Sequence, residues 1–431
     1  MRIGVVVQRY GGGSVGGAER FAVDLATGLA EVGHDVEVVT SRATSYADWA
    51  DELPAGTSTL DGVVVHRLSV VAPRDNDRFL PLHHQVVGRV GPSLWPLAQR
   101  TWAHLMGPEL AGGVQAVEAL ARRCDVMVFV GYHYAHSLTL LRHAAALAPT
   151  VLVPTAHPEG AFHAAPVRDM FAHADRVVCL AEAEAELVDG LYGSRGGIDV
   201  IGCPVDPVAE PGPQAVAEAR RRHGVHGHRY LVTVGRVDPA KGSDEAVAYS
   251  AMVRRAVLPD LQLVVVGPGG AVSDDPAIVT TGFVEEEDKL ALVAGATALL
   301  QPSYMESFSL ALMEGWLLGR PAVVQEANGV LAGHVAASGG GVTYRDYLSF
   351  EAAVVTLAES PELGATLGSA GRAYVRSEFD RSRVVPAFER SFAAAADDGR
   401  RRLSSPFRAQ PFRAQPVRPQ PARSQPTGVV A

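Results

Sequence analysis

Two carboxylates, Glu306 and Glu314, stand eight residues apart in the stretch LQPSYMESFSLALMEGWLLGRPAVVQ, residues 300–325. Some sixty residues earlier two cations, Arg236 and Lys241, stand five apart in GRVDPAKG. A planar guanidinium fork and a compact ammonium on one glycine-bounded loop suit a diphosphate. The N–H groups of Ser307, Phe308, Ser309 and Leu310 lie where a helix should begin, and such free amides also favour phosphate. Eight helical residues rise roughly 12 Å, about the distance from hexose to ribose in a nucleotide sugar. The pattern therefore points to sugar hydroxyls, diphosphate and ribose held in order along one segment. Taken alone, each stretch also reads as a solvated loop acid, an exposed helix acid or an ordinary basic surface loop.

The elements that must position these groups are legible as apolar runs and breakers. Ala298–Gln301 reads as a buried strand stopped by Pro302, followed from about Ser309 by a helix that ends at Gly319-Arg320-Pro321. Tyr230–Val234 is a strand leading into Gly235, and Leu261–Val266 is another. Nearer the start, Ile3–Val7 and Val36–Val39 flank a glycine-rich loop (Gly11–Gly17) and a helix carrying Phe21, Leu25 and Leu29 on one face. Val63–Leu68, Asp125–Val130, Thr150–Val153, Val177–Leu180 and Ile198–Ile201 are further strand candidates. His157 follows one of them directly, at the carboxyl edge where open α/β sheets bind ligands. His133 and His136 follow another and read more readily as loop histidines.

Glu306-Ser-Phe-Ser-Leu-Ala-Leu-Met-Glu314 with Gly319-Arg-Pro-Ala-Val-Val, together with Gly235-Arg236 and Lys241-Gly242, resembles the motif set of family 4 retaining glycosyltransferases. Ser309 departs from it, where the family usually has Gly, and so does Gly315-Trp316, where it usually has Ala-Met. The resemblance implies a GT-B fold: two Rossmann-like α/β domains whose parallel sheets face each other across a cleft. It implies that Glu306 meets the transferred sugar, Glu314 the ribose, and Arg236 and Lys241 the donor phosphates. His157 would sit against the sugar, Gly16 and Gly17 beside the phosphates and acceptor, and Gly282 and Phe283 beside the base. Ile201-Gly-Cys-Pro-Val-Asp206 stands where the family has its hinge but departs at Gly202, Cys203 and Pro204.

On this reading residues 1–206 form an acceptor-side domain and 207–376 the nucleotide-sugar domain. A helix within 377–398 returns to the first domain, and 399–431 is an Arg/Pro/Gln-rich tail. The expected activity is a retaining, metal-independent hexosyl transfer from a GDP- or UDP-linked sugar to a hydroxyl acceptor (a glycan, glycolipid or small molecule), with no cofactor. A sugar-nucleotide epimerase or a non-catalytic sugar-nucleotide sensor would use the same scaffold. Gly11, Gly13 and Gly16 also fit G-x-G-x-x-G. No acid follows Val39, however, and only Arg42 would suit an NADP 2′-phosphate, so a dinucleotide oxidoreductase is a weaker alternative.

With 431 residues, 47% of them apolar, the chain is long enough for two cores. A net charge of −9 argues against a general nucleic-acid binder. Residues 400–431 carry seven Arg and no acid, leaving the body near −16. That tail cannot bury a core; its arginines, five apart from Arg408 to Arg423, suggest weak peripheral contact with an anionic membrane surface. Cys124, Cys179 and Cys203 show no metal-ligand spacing, and a reducing cytoplasm fits them. No apolar run reaches the length of a membrane span. Asp75-Asn76-Asp77 is a D-x-D triplet, but its setting between Arg74 and Arg78 reads as a turn rather than a cation site. Trp95–Met106 reads as a packed surface helix, with acceptor cover or membrane contact as alternatives.

Overall fold

The computed structural model describes residues 1–11, 16–87, 96–270 and 272–404. Fourteen strands among them form two sheets. In the first half they are β1 (Arg2–Val6), β2 (Asp35–Ser41), β3 (Gly56–Leu60), β4 (Val63–Leu68), β5 (Val126–Val130), β6 (Thr150–Val153), β7 (Arg176–Cys179) and β8 (Ile198–Val200). In the second they are β9 (Arg229–Val234), β10 (Leu261–Val266), β11 (Ile278–Gly282), β12 (Ala298–Gln301), β13 (Ala322–Gln325) and β14 (Gly341–Tyr344). The first sheet runs β3-β4-β2-β1-β5-β6-β7-β8 and the second β11-β10-β9-β12-β13-β14.

Every pairing is parallel except that of β3 with β4. A parallel sheet is covered by helices on both faces, so its strands must be apolar throughout. Val126–Val130 and Leu261–Val266 are buried at each residue for that reason. β3, with sequence Gly-Thr-Ser-Thr-Leu, lies at the edge and is mostly exposed, which its polar side chains tolerate. Because neighbouring strands run the same way, the loops after β1, β5 and β6 gather on one edge of the first sheet. Those after β9, β11 and β12 gather on one edge of the second.

The chain crosses between the two halves twice. Val205 bridges Asp380 in parallel, and Arg381 Nε donates to Asp206 at 2.6 Å. The helix Arg381–Ser404 then packs on the first half. Phe388 and Phe392 are fully buried, Phe388 lies 5.7 Å from Phe21, and Arg402 bonds buried Asp175 at 2.6 and 3.0 Å. Asp75 opens the helix Asn76–Val87, its carboxylate accepting from the Arg78 amide at 3.2 Å; the D-x-D triplet is a helix start rather than a plain turn. The helix Pro96–Met106 is packed, with Trp102 fully buried. No helix among the described residues is long and apolar enough to cross a membrane. Trp95, Gly13 and the tail from 405 onward lie outside the described residues.

Candidate active site

The loop after β9, which carries Arg236 and Lys241, and the acidic loop after β12 are locked together through Gly242. Its φ of +70° favours glycine, and a Cβ there would stand 2.2 Å from the Pro302 carbonyl oxygen. That approach brings Lys241 Nζ to 2.7 Å from Glu306 Oε1 and 3.3 Å from the Met305 carbonyl. Arg236, on the same loop, bonds Asp238 at 3.1 Å and lays its guanidinium over Tyr46 at 4.9 Å. Tyr46 belongs to the first half of the chain. Arg9 stands 5.4 Å from the same ring, itself held by buried Glu19 at 2.6 and 2.9 Å. The tyrosine thus joins two guanidinium groups across the cleft.

Ser309 caps the helix Leu310–Leu317 at φ +76°, a left-handed conformation that explains why glycine is usual in the resembled motif. A buried amide offsets the strain: Gln301 Nε2 donates to Ser309 Oγ at 2.7 Å. Phe308 is buried against Phe379 and His334, and the N–H groups of Ser307, Phe308 and Ser309 meet no backbone acceptor among the described residues. Glu314 is held by Lys289 at 2.8 Å. The other departure, Gly315-Trp316, is a size exchange. Trp316 is fully buried and donates to the Gly340 carbonyl at 2.8 Å, filling space left by Gly340 and Gly371. Gly282 ends β11 and Phe283 projects beside it, 64% exposed.

Glu245 was not legible as a site residue. It lies on the helix Ser243–Ala256, which begins just after Lys241, and accepts from Tyr304 at 2.6 Å, Tyr344 at 2.8 Å and Gln325 at 3.0 Å. The carboxylate therefore ties the helix Ser243–Ala256 to the loop that presents Glu306. Only the fold brings these four residues together, and nothing in their spacing announces it.

On the facing sheet edge, Gly16 precedes the helix Gly17–Glu31, and a Cβ at Gly16 would strike Glu19 Oε2 at 2.2 Å. Gly17 has open space around it. His157 follows β6 and feels the charges of both Lys241 and Glu306; burial is the main cause of its lowered pKa. Its loop is fixed from below by Glu184, which accepts from the Ala156 amide at 2.5 Å and the Leu180 amide at 2.6 Å. Burial pushes the Glu184 carboxyl up to about 8, with those two bonds opposing. Around His157 stand Tyr132 at 6.0 Å and His133 at 6.4 Å between ring centres. Tyr132 donates its hydroxyl to Glu159. Burial lowers His133 to about 3 and His136 to about 4, so both rings are neutral near pH 7.

Lys241, Glu306 and His157 thus converge from two carboxyl edges, with Arg236 on the Lys241 loop and Glu314 on the helix Leu310–Leu317. Two family models match this chain: one described as glycosyl transferase 4-like domain over residues 16–204, the other as glycosyl transferases group 1 over 228–360. The chain belongs to the family 4-type glycosyltransferases of GT-B fold, which use nucleotide sugars. It is 28% identical over 348 residues to a D-inositol 3-phosphate glycosyltransferase of Salinispora arenicola, spanning 74% of each protein. The corresponding protein of Segniliparus rotundus is 28% identical over 387 residues, 84% of this chain and 81% of that one. Among solved structures, HepE of Anabaena in complex with UDP and glucose superposes with a TM-score of 0.64 at 18% identity, covering 91% of this chain and 99% of that one. An α,α-trehalose-phosphate synthase (UDP-forming) from Burkholderia vietnamiensis gives 0.64 at 15% identity, covering 92% and 97%.

Proposed function

We propose that the protein is a retaining hexosyltransferase that moves a sugar from a UDP- or GDP-linked donor to a hydroxyl acceptor. The observation that carries the reading is the 2.7 Å contact of Lys241 with Glu306 opposite His157, a cation suited to phosphate beside an acid suited to sugar hydroxyls. A donor lying there has its hydroxyls on Glu306, its diphosphate between Arg236, Lys241 and the amides of Ser307–Leu310, and its ribose on Glu314. As the anomeric bond to the diphosphate breaks, the sugar becomes oxocarbenium-like and the leaving oxygen more negative. The two cations and the helix start are aimed at that growing charge, so no metal ion is required for it. The acceptor hydroxyl adds on the face the phosphate leaves, and its proton passes to the departing phosphate oxygen. Configuration is then retained without a protein nucleophile. His157, neutral through burial, contributes a hydrogen bond to the sugar rather than a charge.

The test is release of nucleoside diphosphate from a panel of UDP- and GDP-hexoses, followed by proton NMR of the product's anomeric centre. Retained configuration and loss of at least a hundredfold in kcat/KM for folded Lys241→Ala and Glu306→Ala are expected. Near-normal turnover in folded Lys241→Ala removes the phosphate-clamp assignment.

A further inference from the structure

The face opposite the phosphate clamp has a chemistry of its own. His133 and His157 stand on it, backed by fully buried Tyr132 and by His83, which accepts a bond from Trp102 at 3.2 Å. Burial lowers the pKa of each of the three imidazoles. The Nδ1 atoms of His133 and His157 are buried without a hydrogen-bond partner, as is Gln8 Oε1 near Gly131. A histidine tautomer is normally fixed by the bond its second nitrogen makes. With Nδ1 unheld, either tautomer is available to His133 and His157. Each outer nitrogen can then donate or accept, which is the ambivalence a hydroxyl group needs in a partner.

The acid on this wall is the wrong charge for phosphate, and it acts beside Lys241 on His157 and beside Arg74 on His83. Glu159, bonded by Tyr132, acts on both His157 and His83. The nearby arginines are committed elsewhere. Arg9 is held by Glu19, and Arg74 donates to the carbonyls of Tyr46 at 2.6 Å and Ala47 at 2.8 Å and to Asn76 at 3.0 Å. A phosphate dianion only accepts hydrogen bonds and would face a carboxylate.

We infer that this wall receives an uncharged, hydroxyl-rich acceptor and that Glu159 is the specificity-determining residue that turns phosphorylated acceptors away. The inference rests on the donor-site reading above. It separates this chain from its D-inositol 3-phosphate glycosyltransferase relatives, whose names specify a phosphorylated acceptor.

The experiment pairs acceptors that differ only by phosphate: myo-inositol with D-myo-inositol 3-phosphate, glucose with glucose 6-phosphate, and fructose with fructose 6-phosphate. The full chain is assayed with the nucleotide sugar that turns over, and glycosylated product is quantified. The uncharged member should win within the accepted pair by about tenfold or more in kcat/KM, equivalent to about 1.4 kcal/mol. Glu159→Gln keeps an oxygen for Tyr132 and should narrow that ratio, while the Kd for UDP or GDP stays put. His133→Gln should lower kcat/KM for the uncharged acceptor, again without moving nucleotide affinity. Preference for the phosphorylated member overturns the inference. So does a ratio unmoved by Glu159→Gln, or donor hydrolysis with transfer to no acceptor tested. Failure of the donor reading looks different: calorimetry would then show binding of neither UDP nor GDP.

Discussion

Glu245 offers a calculable perturbation, because the carboxylate serves three donors of unequal exposure. Tyr344 is 1% exposed, so replacing Glu245 by Leu leaves its hydroxyl buried and unpaired, at about 1–3 kcal/mol. Tyr304 is 42% exposed and can turn to water, so its lost bond weighs little. Gln325 is buried but keeps a second contact, with Tyr304 at 3.3 Å, and adds less than Tyr344 does. The sum is about 2–3 kcal/mol for Glu245→Leu and about 1 kcal/mol for Glu245→Gln, which retains one acceptor oxygen. Removing the orphan should recover most of the loss. In a double-mutant cycle with Tyr344→Phe, the coupling measured by urea unfolding should be about 1.5–2 kcal/mol. Because the brace joins the helix Ser243–Ala256 to the Glu306 loop, Glu245→Leu should also raise KM for the donor more than it lowers kcat. A coupling below about 0.5 kcal/mol, within the scatter expected of independent sites, would refute the reasoning.

Ser309→Gly relieves the left-handed φ but loses the Gln301 bond, whereas Ser309→Ala loses the bond and keeps the strain. Thermal unfolding should therefore rank Ala below Gly by about 1 kcal/mol, and the reverse order would contradict the cap geometry. A Cβ at Gly371 would sit 2.3 Å from Trp316 Cδ1. Gly371→Ala should cost about 1–3 kcal/mol in the native background and clearly less beside Trp316→Met, as urea midpoints of the four proteins will show. The folded pKa of Glu184, about 8, exceeds its unfolded value near 4.3, so its contribution is full at low pH and lost as pH rises through 8. The histidines work in the opposite sense. The folded pKa values of His133 and His136 lie below the unfolded value near 6.5, so their contribution is lost only as pH falls below it. Between pH 6.5 and 8 Glu184 should therefore stand out: stability drops by about 1–2 kcal/mol, and Glu184→Gln flattens that slope.

The buried parallel strands were legible because they are apolar on both faces; β1, β5, β6, β10 and β12 fall within a residue or so of where their sequences place them. β3 has no such signature. Its Gly-Thr-Ser-Thr-Leu run pairs only on one side, and its edge position is a property of the neighbouring β4 rather than of its own residues. At the site, motifs carried by one segment could be read, since Lys241 and Glu306 each sit at a strand's carboxyl end. Contacts between distant segments could not. Tyr46 lies in a loop without periodicity, and nothing in that loop signals a partner 190 residues away. Glu245 looks like any polar residue in the first turn of a helix. Ser309 is intermediate: it stands out only against the family's glycine, and its angle supplies the reason.

The helix Arg381–Ser404 makes the first sheet depend on a segment that follows the whole second sheet. Val384, Val385, Phe388 and Phe392 share one core with Phe21, Leu25 and Leu29. A ribosome must therefore finish the entire second sheet before the opening segment has its last apolar neighbours. Until then the helix Gly17–Glu31 emerges with its Phe21 side uncovered, a surface open to chaperones or to a second nascent chain. Docking of the later helix closes that interval, so the first sheet gains its full cover only after the second has been made.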